Sequence, residues 1–191
     1  MTASDILAYC RRLGRLKNTP RSGWRLRGIR DCESVADHAY RATHLVMVLA
    51  DSLAAGGLAL DRAKALRMAQ VHEIGESIIG DIPQSADSPL SGEMKHRAEA
   101  AAIERLTTPL GSVGREYRGL WEEFEAGETV EARLVRAADK LEMLIQAGEY
   151  EAVGFRCLEE FWSHAANRRH FDEFPLVAEI LALVEGERRP Q

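Results

Sequence analysis

Three stretches of this chain set apolar residues at spacings of three and four and place a histidine or carboxylate on the same face. In the first, the face holds His38, Ala42, Leu45 and Leu49; in the second, Ala65, Met68, Ala69, His72, Glu76 and Ile79; in the third, Ala132, Val135, Asp139, Glu142 and Met143. Residues three and four apart are neighbours on an α-helix, so each stretch specifies a helix whose buried stripe carries ionisable side chains. A fold built from them must satisfy those polar groups in its interior.

Composition points the same way. Alanine and leucine supply 48 of the 191 residues, against 25 for Val, Ile and Thr together, so helix formers outnumber strand formers. The fold class expected is all-α, a single helical bundle over residues 1–191 with no linker, repeat or low-complexity tract. A first helix is expected over residues 4–17, with Ser4 as N-cap and Ile6, Leu7, Cys10, Leu13 and Leu16 as its stripe. A second runs from about Ser34 to Ala55, where Gly56-Gly57 ends it, and a third from its cap Asp61 to Gly80. Pro83 and Pro89 bound a loop. A fourth helix covers SGEMKHRAEAAAIERL and ends near Pro109, a fifth covers residues 113–126, and Gly127 breaks it. Thr129 then caps TVEARLVRAADKLEMLIQAGEYE, with helical segments through Trp162 and again from Phe174 to Glu185. Trp121 and Phe124, at i and i+3, read as core aromatics.

A formal net charge of -5 argues against a general nucleic-acid binder, which needs a basic surface to neutralise phosphates. A small anion gripped by a few arginines is compatible with it. Cys10, Cys32 and Cys157 are odd in number and lie outside any CxxC pair, so they read as reduced cytoplasmic thiols rather than a disulfide framework or a cysteine zinc site. No run of about 18 apolar residues occurs and the N-terminal residues do not resemble a signal peptide, so no membrane partner is expected.

A lone inward histidine is ordinarily a hydrogen-bonded core residue. Several buried carboxylates are harder to accommodate, because each ionised group needs a partner, and a cluster needs a cation or a shared proton. Imidazole with carboxylate suits a divalent ion such as Mn, Co, Fe or Zn. The pentapeptide HEIGE resembles the zinc-protease motif HExxH, but position 76 is Glu, so the second histidine ligand is missing.

His38, the adjacent pair His72-Glu73, and Asp139 resemble the H...HD...D signature of HD-domain metal-dependent phosphohydrolases. The stretches PRSGWRLRGI, ESVADHAYRATHLVMVLA, LRMAQVHEIGESIIGDI, EMKHRAEAAAI and LWEEFEAGETVEARLVRAADKLEMLIQAGEYE extend the resemblance to the 5'-deoxynucleotidase branch, over roughly residues 5–162. It implies that His38, His72, Glu73 and Asp139 hold one divalent metal ion (Mn, Co, Fe, Zn or Mg) and that Glu76 and Asp81 are catalytic carboxylates. One departs from the pattern: Glu73 stands where the family has aspartate. Glutamate is a competent oxygen ligand, but its extra methylene has to be absorbed by a shift of the helix or the metal.

The segment TPRSGWRLRGIR gathers Arg21, Arg25, Arg27 and Arg30, with Lys17 just before, and arginine can grip two phosphate oxygens at once. The resemblance implies Arg21 for the phosphate and Trp24 for packing against sugar or base. Lys95, His96 and Arg97 also match the family's pattern and could approach the phosphates, although the surface of a charged helix is the readier reading. The expected reaction is attack by metal-activated water on the phosphorus of a deoxyribonucleoside 5'-monophosphate, and no GxSxG or P-loop motif offers another nucleophile. The rivals are a deoxynucleoside triphosphohydrolase releasing tripolyphosphate, a protein that binds nucleotide or metal without turnover, and a purely hydrogen-bonded polar core. A homodimer is implied by the resemblance only.

Overall fold

The local signals at helix starts are visible as hydrogen bonds in a computed structural model, which describes residues 1–83 and 91–188. The loop expected from Pro83 to Pro89 falls, beyond Pro83, outside the described residues. Among the described residues every regular element is helical, apart from an isolated bridge between Pro20 and Ser34. In chain order the α-helices are α1 (Ala3–Leu13), α2 (Ser22–Leu26), α3 (Val35–Ala55), α4 (Arg62–Val71), α5 (Glu76–Ile79), α6 (Gly92–Thr107), α7 (Ser112–Ala126), α8 (Val130–Ala152), α9 (Glu159–Ser163) and α10 (Pro175–Glu187). No helix among the described residues is long and apolar enough to cross a membrane.

The expected caps Asp61 and Thr129 are present, and Ser34 and Ser91 cap the helices expected to start there. Ser34 and Asp37 form a reciprocal box at the start of α3, with Asp37 N–H donating to Ser34 Oγ at 3.1 Å and Ser34 N–H to Asp37 Oδ2 at 2.9 Å. Asp61, Ser91 and Thr129 accept from the backbone of Lys64, Met94 and Ala132 in the same way. These bonds satisfy N–H groups that a helix start leaves without intrahelical partners. The first helix corrects its expectation: its cap is Thr2, which shares a box with Asp5, and not Ser4. Of its apolar stripe only Leu16, in the following 3₁₀ turn, is buried, while Ile6 and Leu7 are about half exposed.

The third expected helix is interrupted. After Val71 the bonds Ile74 N–H to Val71 O, Glu76 N–H to Glu73 O and Ser77 N–H to Ile74 O span three residues instead of four, a tighter 3₁₀-type winding before α5 begins. Short-range periodicity is blind to this break, because α5 is held by packing on α6. Gly80, at φ +80°, then ends α5 in a conformation that L side chains rarely adopt, and turns the chain toward Asp81.

The chain divides into two compact units, each drawn from two stretches. The first comprises Met1–Ala39 and Gln70–Glu122. Here α1 packs on α5 and α6, and Trp24, Ile29, Val35, Ile74, Ile103 and Trp121 are buried. The start of α7 approaches the end of α6 so closely that a Cβ at Gly114 would lie 1.9 Å from Thr107 O.

The second unit comprises Tyr40–Ala69 and Glu123–Gln191. Its spine is α8, against which α9 and α10 pack, and whose buried face holds Ala132, Val135, Asp139, Glu142 and Met143 as the spacing predicts. On the part of α3 that belongs to this unit the buried positions are Ala42, Thr43, Val46, Leu49 and Ala50; Val46 takes the place expected for Leu45, which is only half-buried. Arg41 binds three residues of α8: Nε donates to Glu142 Oε1, Nη1 to Glu149 and Nη2 to Gln146 Oε1, each at 2.8 Å.

Candidate metal centre

His38 follows the Ser34 cap by one helical turn and is fully buried. His72 and Glu73 occupy the 3₁₀ break between α4 and α5. Consecutive side chains on a regular helix project about 100° apart; at this break the two neighbours meet. Glu73 Oε1 stands 3.6 Å from His72 Nε2 and 3.6 Å from His38 Nε2, and the imidazole centroids are 6.2 Å apart. The ligand atoms of His38, His72 and Glu73 all lie within 4.8 Å of one another, a group able to hold a metal ion. Arg21 Nη1 donates to the same Glu73 Oε1 at 3.3 Å, with both side chains 13% exposed.

Two further carboxylates adjoin this group. Glu76, in the first turn of α5, is 7% exposed. Burial, then the Glu73 carboxylate, then the Asp81 carboxylate push its carboxyl up to about 11, against the opposing pull of the Arg21 guanidinium. Asp81, turned by Gly80, accepts from Ser22 N–H through Oδ2 at 2.6 Å, and its carbonyl accepts from Ser22 Oγ at 2.9 Å. The segment carrying Arg21 and the segment carrying Asp81 are thereby fastened together.

The donor set fits a divalent ion on two observations. The 3.6 Å spacings around Glu73 Oε1 are close to the separation of about 3 to 3.5 Å between two ligands that share an ion at about 2.1 Å. Glu76 Oε2 is buried with no hydrogen-bond partner, and leaving such a group unsatisfied is destabilising by about 1 to 3 kcal/mol, more if it is charged. A cation in the same cluster relieves that penalty. Ser77 Oγ, next to it, is buried and likewise has no hydrogen-bond partner.

The other expected site residues are placed as follows. Asp139 is buried on α8 of the second unit, with Oδ2 3.1 Å from Lys140 Nζ. Lys95 on α6 pairs with Glu99 one turn on, at 3.5 Å, and His96 stacks on Trp121 with centroids 5.4 Å apart. Trp24, expected from the resemblance to meet sugar or base, is instead 1% exposed, and its indole N–H donates to Glu33 Oε1 at 2.8 Å. Its ring is buried in the core, and its backbone N–H donates to Arg21 O at 3.2 Å. Sequence reasoning did not single out Ser22 or Glu33, since both act through contacts that only the folded chain creates; the helix α2 inside the basic segment was equally hidden.

An all-helical chain with paired histidines and carboxylates at this break has the makings of a metal-dependent hydrolase, and comparison with known proteins agrees in family. The chain belongs to the HD-domain family, whose model matches residues 13–174. The human protein named 5'-deoxynucleotidase HDDC2 is 34% identical over 97% of this chain and 87% of its own length. The Dictyostelium discoideum protein of the same name is 34% identical over 97% of this chain and all of its own. Among solved structures, a conserved hypothetical protein from Pyrococcus furiosus is 40% identical, with a TM-score of 0.76 over 91% of this chain and 98% of that one.

Proposed function

We propose that this chain is a 5'-deoxynucleotidase, a metal-dependent phosphohydrolase that removes the 5'-phosphate from deoxyribonucleoside monophosphates. The observation that carries the reading is the convergence of His38, His72 and Glu73 within 4.8 Å, in a chain aligned over 97% of its length with relatives of that name. In this reading residues 1–191 form one HD domain. By the family signature His38, His72, Glu73 and Asp139 hold one divalent ion, drawn from Mn, Co, Fe, Zn or Mg. Such an ion supplies Lewis acidity and brings the pKa of water toward neutrality.

The chain's own groups do the rest. Arg21, beside Glu73, grips the phosphate through its planar fork of donors, and Lys95 adds a second cation from α6. Glu76 and Asp81 divide the proton transfers: one carboxylate orients or deprotonates the attacking water, and the other protonates the leaving 5'-oxygen. The Ser22 bonds hold Asp81 in register with Arg21, so phosphate grip and proton transfer are aligned by one fastening. Free thiols at Cys10, Cys32 and Cys157 suit a cytoplasmic setting, and the resemblance implies a homodimer.

A panel of ribo- and deoxyribonucleoside mono- and triphosphates, crossed with Mn, Co, Mg and Zn after chelator treatment, tests the reading. Release of phosphate from deoxyribonucleoside monophosphates is expected. Tripolyphosphate from dATP without phosphate from dAMP would transfer the chain to the triphosphohydrolases, and no product with any metal would make it a binding protein.

A further inference from the structure

Glu73 has one more rotatable bond than the aspartate of the family signature, and a longer ligand loses more rotamer freedom when it is fixed on a metal. The structure shows what restrains it. Arg21 Nη1 meets the same oxygen, Oε1, that faces His38 and His72. Arg21 is itself delivered from a fixed base: its N–H donates to Glu33 O at 3.0 Å, its carbonyl accepts from Cys32 Sγ at 3.6 Å, and Glu33 in turn receives the buried Trp24 indole. The next residue, Ser22, is tied to Asp81.

The geometry points to Arg21 as a positioning residue for Glu73: its guanidinium holds the long carboxylate at the reach where it faces both histidines, which adapts an aspartate site to glutamate. This rests on the metal centre proposed above and is separate from the grip on phosphate. Repulsion between a guanidinium and a cation works against the arrangement, but the Glu73 and Asp81 carboxylates outnumber Arg21 in the cluster, so the local field still favours a cation. Partners that orient a metal ligand are worth about 10- to 100-fold in metal affinity. An aspartate at position 73 is too short to need the same hold.

The test is a double-mutant cycle read by metal affinity, with Mn binding measured on the full chain without substrate, so that the phosphate role of Arg21 plays no part. Arg21→Gln and Arg21→Lys are each made in the Glu73 chain and in Glu73→Asp, with thermal unfolding run on all. The expected result is that Arg21→Gln weakens Mn binding about 10- to 100-fold in the Glu73 chain and by less than about threefold beside Glu73→Asp, with Arg21→Lys intermediate because it keeps the charge but not the planar fork. Should Arg21→Gln not fold, Arg21→Lys against the same two backgrounds decides. Equal losses in both backgrounds, or no loss in the Glu73 chain, would overturn the positioning role while leaving the metal centre in place. Mn affinity unaffected by His72→Ala would overturn the metal centre and this role together.

Discussion

Glu76 in the first unit and Glu142 in the second are the same residue type at nearly the same depth, 7% and 0% exposed, yet their surroundings differ in kind. Glu142 receives Arg41 Nε at 2.8 Å, and the rest of that guanidinium is spread over Glu149 and Gln146. The charge is answered locally, and the pair joins α3 to α8 within the unit. Glu76 is set beside two more carboxylates, Glu73 and Asp81, and its Oε2 has no hydrogen-bond partner. Burial depth therefore does not separate a carboxylate answered within the fold from one left open. The partner does: a guanidinium completes the first, whereas the second is left to hold a proton or face a cation.

The contrast can be broken at either residue, and the largest effect is expected on activity. Glu76→Gln keeps the shape and removes the titrating group, so deoxynucleotide hydrolysis falls about 10²- to 10⁴-fold, the range for a lost acid–base group, while the melting temperature does not fall. Kinetics and melting on one preparation check this; a destabilised variant with normal turnover would make Glu76 a structural residue like Glu142. Next comes Arg41→Ala, which takes the guanidinium away from a fully buried carboxylate and destabilises the chain by about 3 kcal/mol in denaturant unfolding. A loss below about 1 kcal/mol, the scale of an exposed pair, would show that solvent answers Glu142 without Arg41.

A smaller effect, spread over pH, sharpens the same point. The Glu76 carboxyl is raised from 4.5 in the unfolded chain to about 11 in the fold, so between those values the folded chain keeps a proton that the unfolded chain has lost. Its contribution is complete below pH 4.5 and is lost as pH rises toward 11. Metal-free protein thus loses stability with rising pH by up to about 1.4 kcal/mol per unit from this group. Urea midpoints measured from pH 6 to 9 should slope downward in the wild-type chain and flatten in Glu76→Gln. The smallest change is Ser22→Ala, which removes the hydroxyl bond to Asp81 O but keeps the backbone bond to Oδ2; about 1 kcal/mol of stability is expected to go, and calorimetry reads it.

The features legible in the sequence are those fixed within a few residues. Ser34, Asp61, Ser91 and Thr129 announce helix starts because a cap satisfies N–H groups two or three positions on. Thr2 escaped because Ser4 lies nearer the apolar stripe, although Asp5 three residues after Thr2 was the better signal. The inward faces of His38, His72 and Asp139 follow from helical spacing. What lay beyond reach depends on distant partners. The break at His72 preserves the very periodicity that suggested a continuous helix, because α6 and not local propensity holds α5. Trp24 looked like a substrate platform since nothing nearby in sequence reveals that Glu33 takes its indole N–H in the core. The bond between Ser22 and Asp81 spans 59 positions, and no motif announces it.

That bond has a consequence for anyone who recombines this chain with its relatives. Residues 19–30 and 80–83 are far apart in sequence, but the Ser22 contacts make them one inheritable piece. A chimera that imports the arginine segment alone receives a partner for an Asp81 it was not shaped with, so exchange of substrate preference between homologues calls for both segments to be transplanted at once.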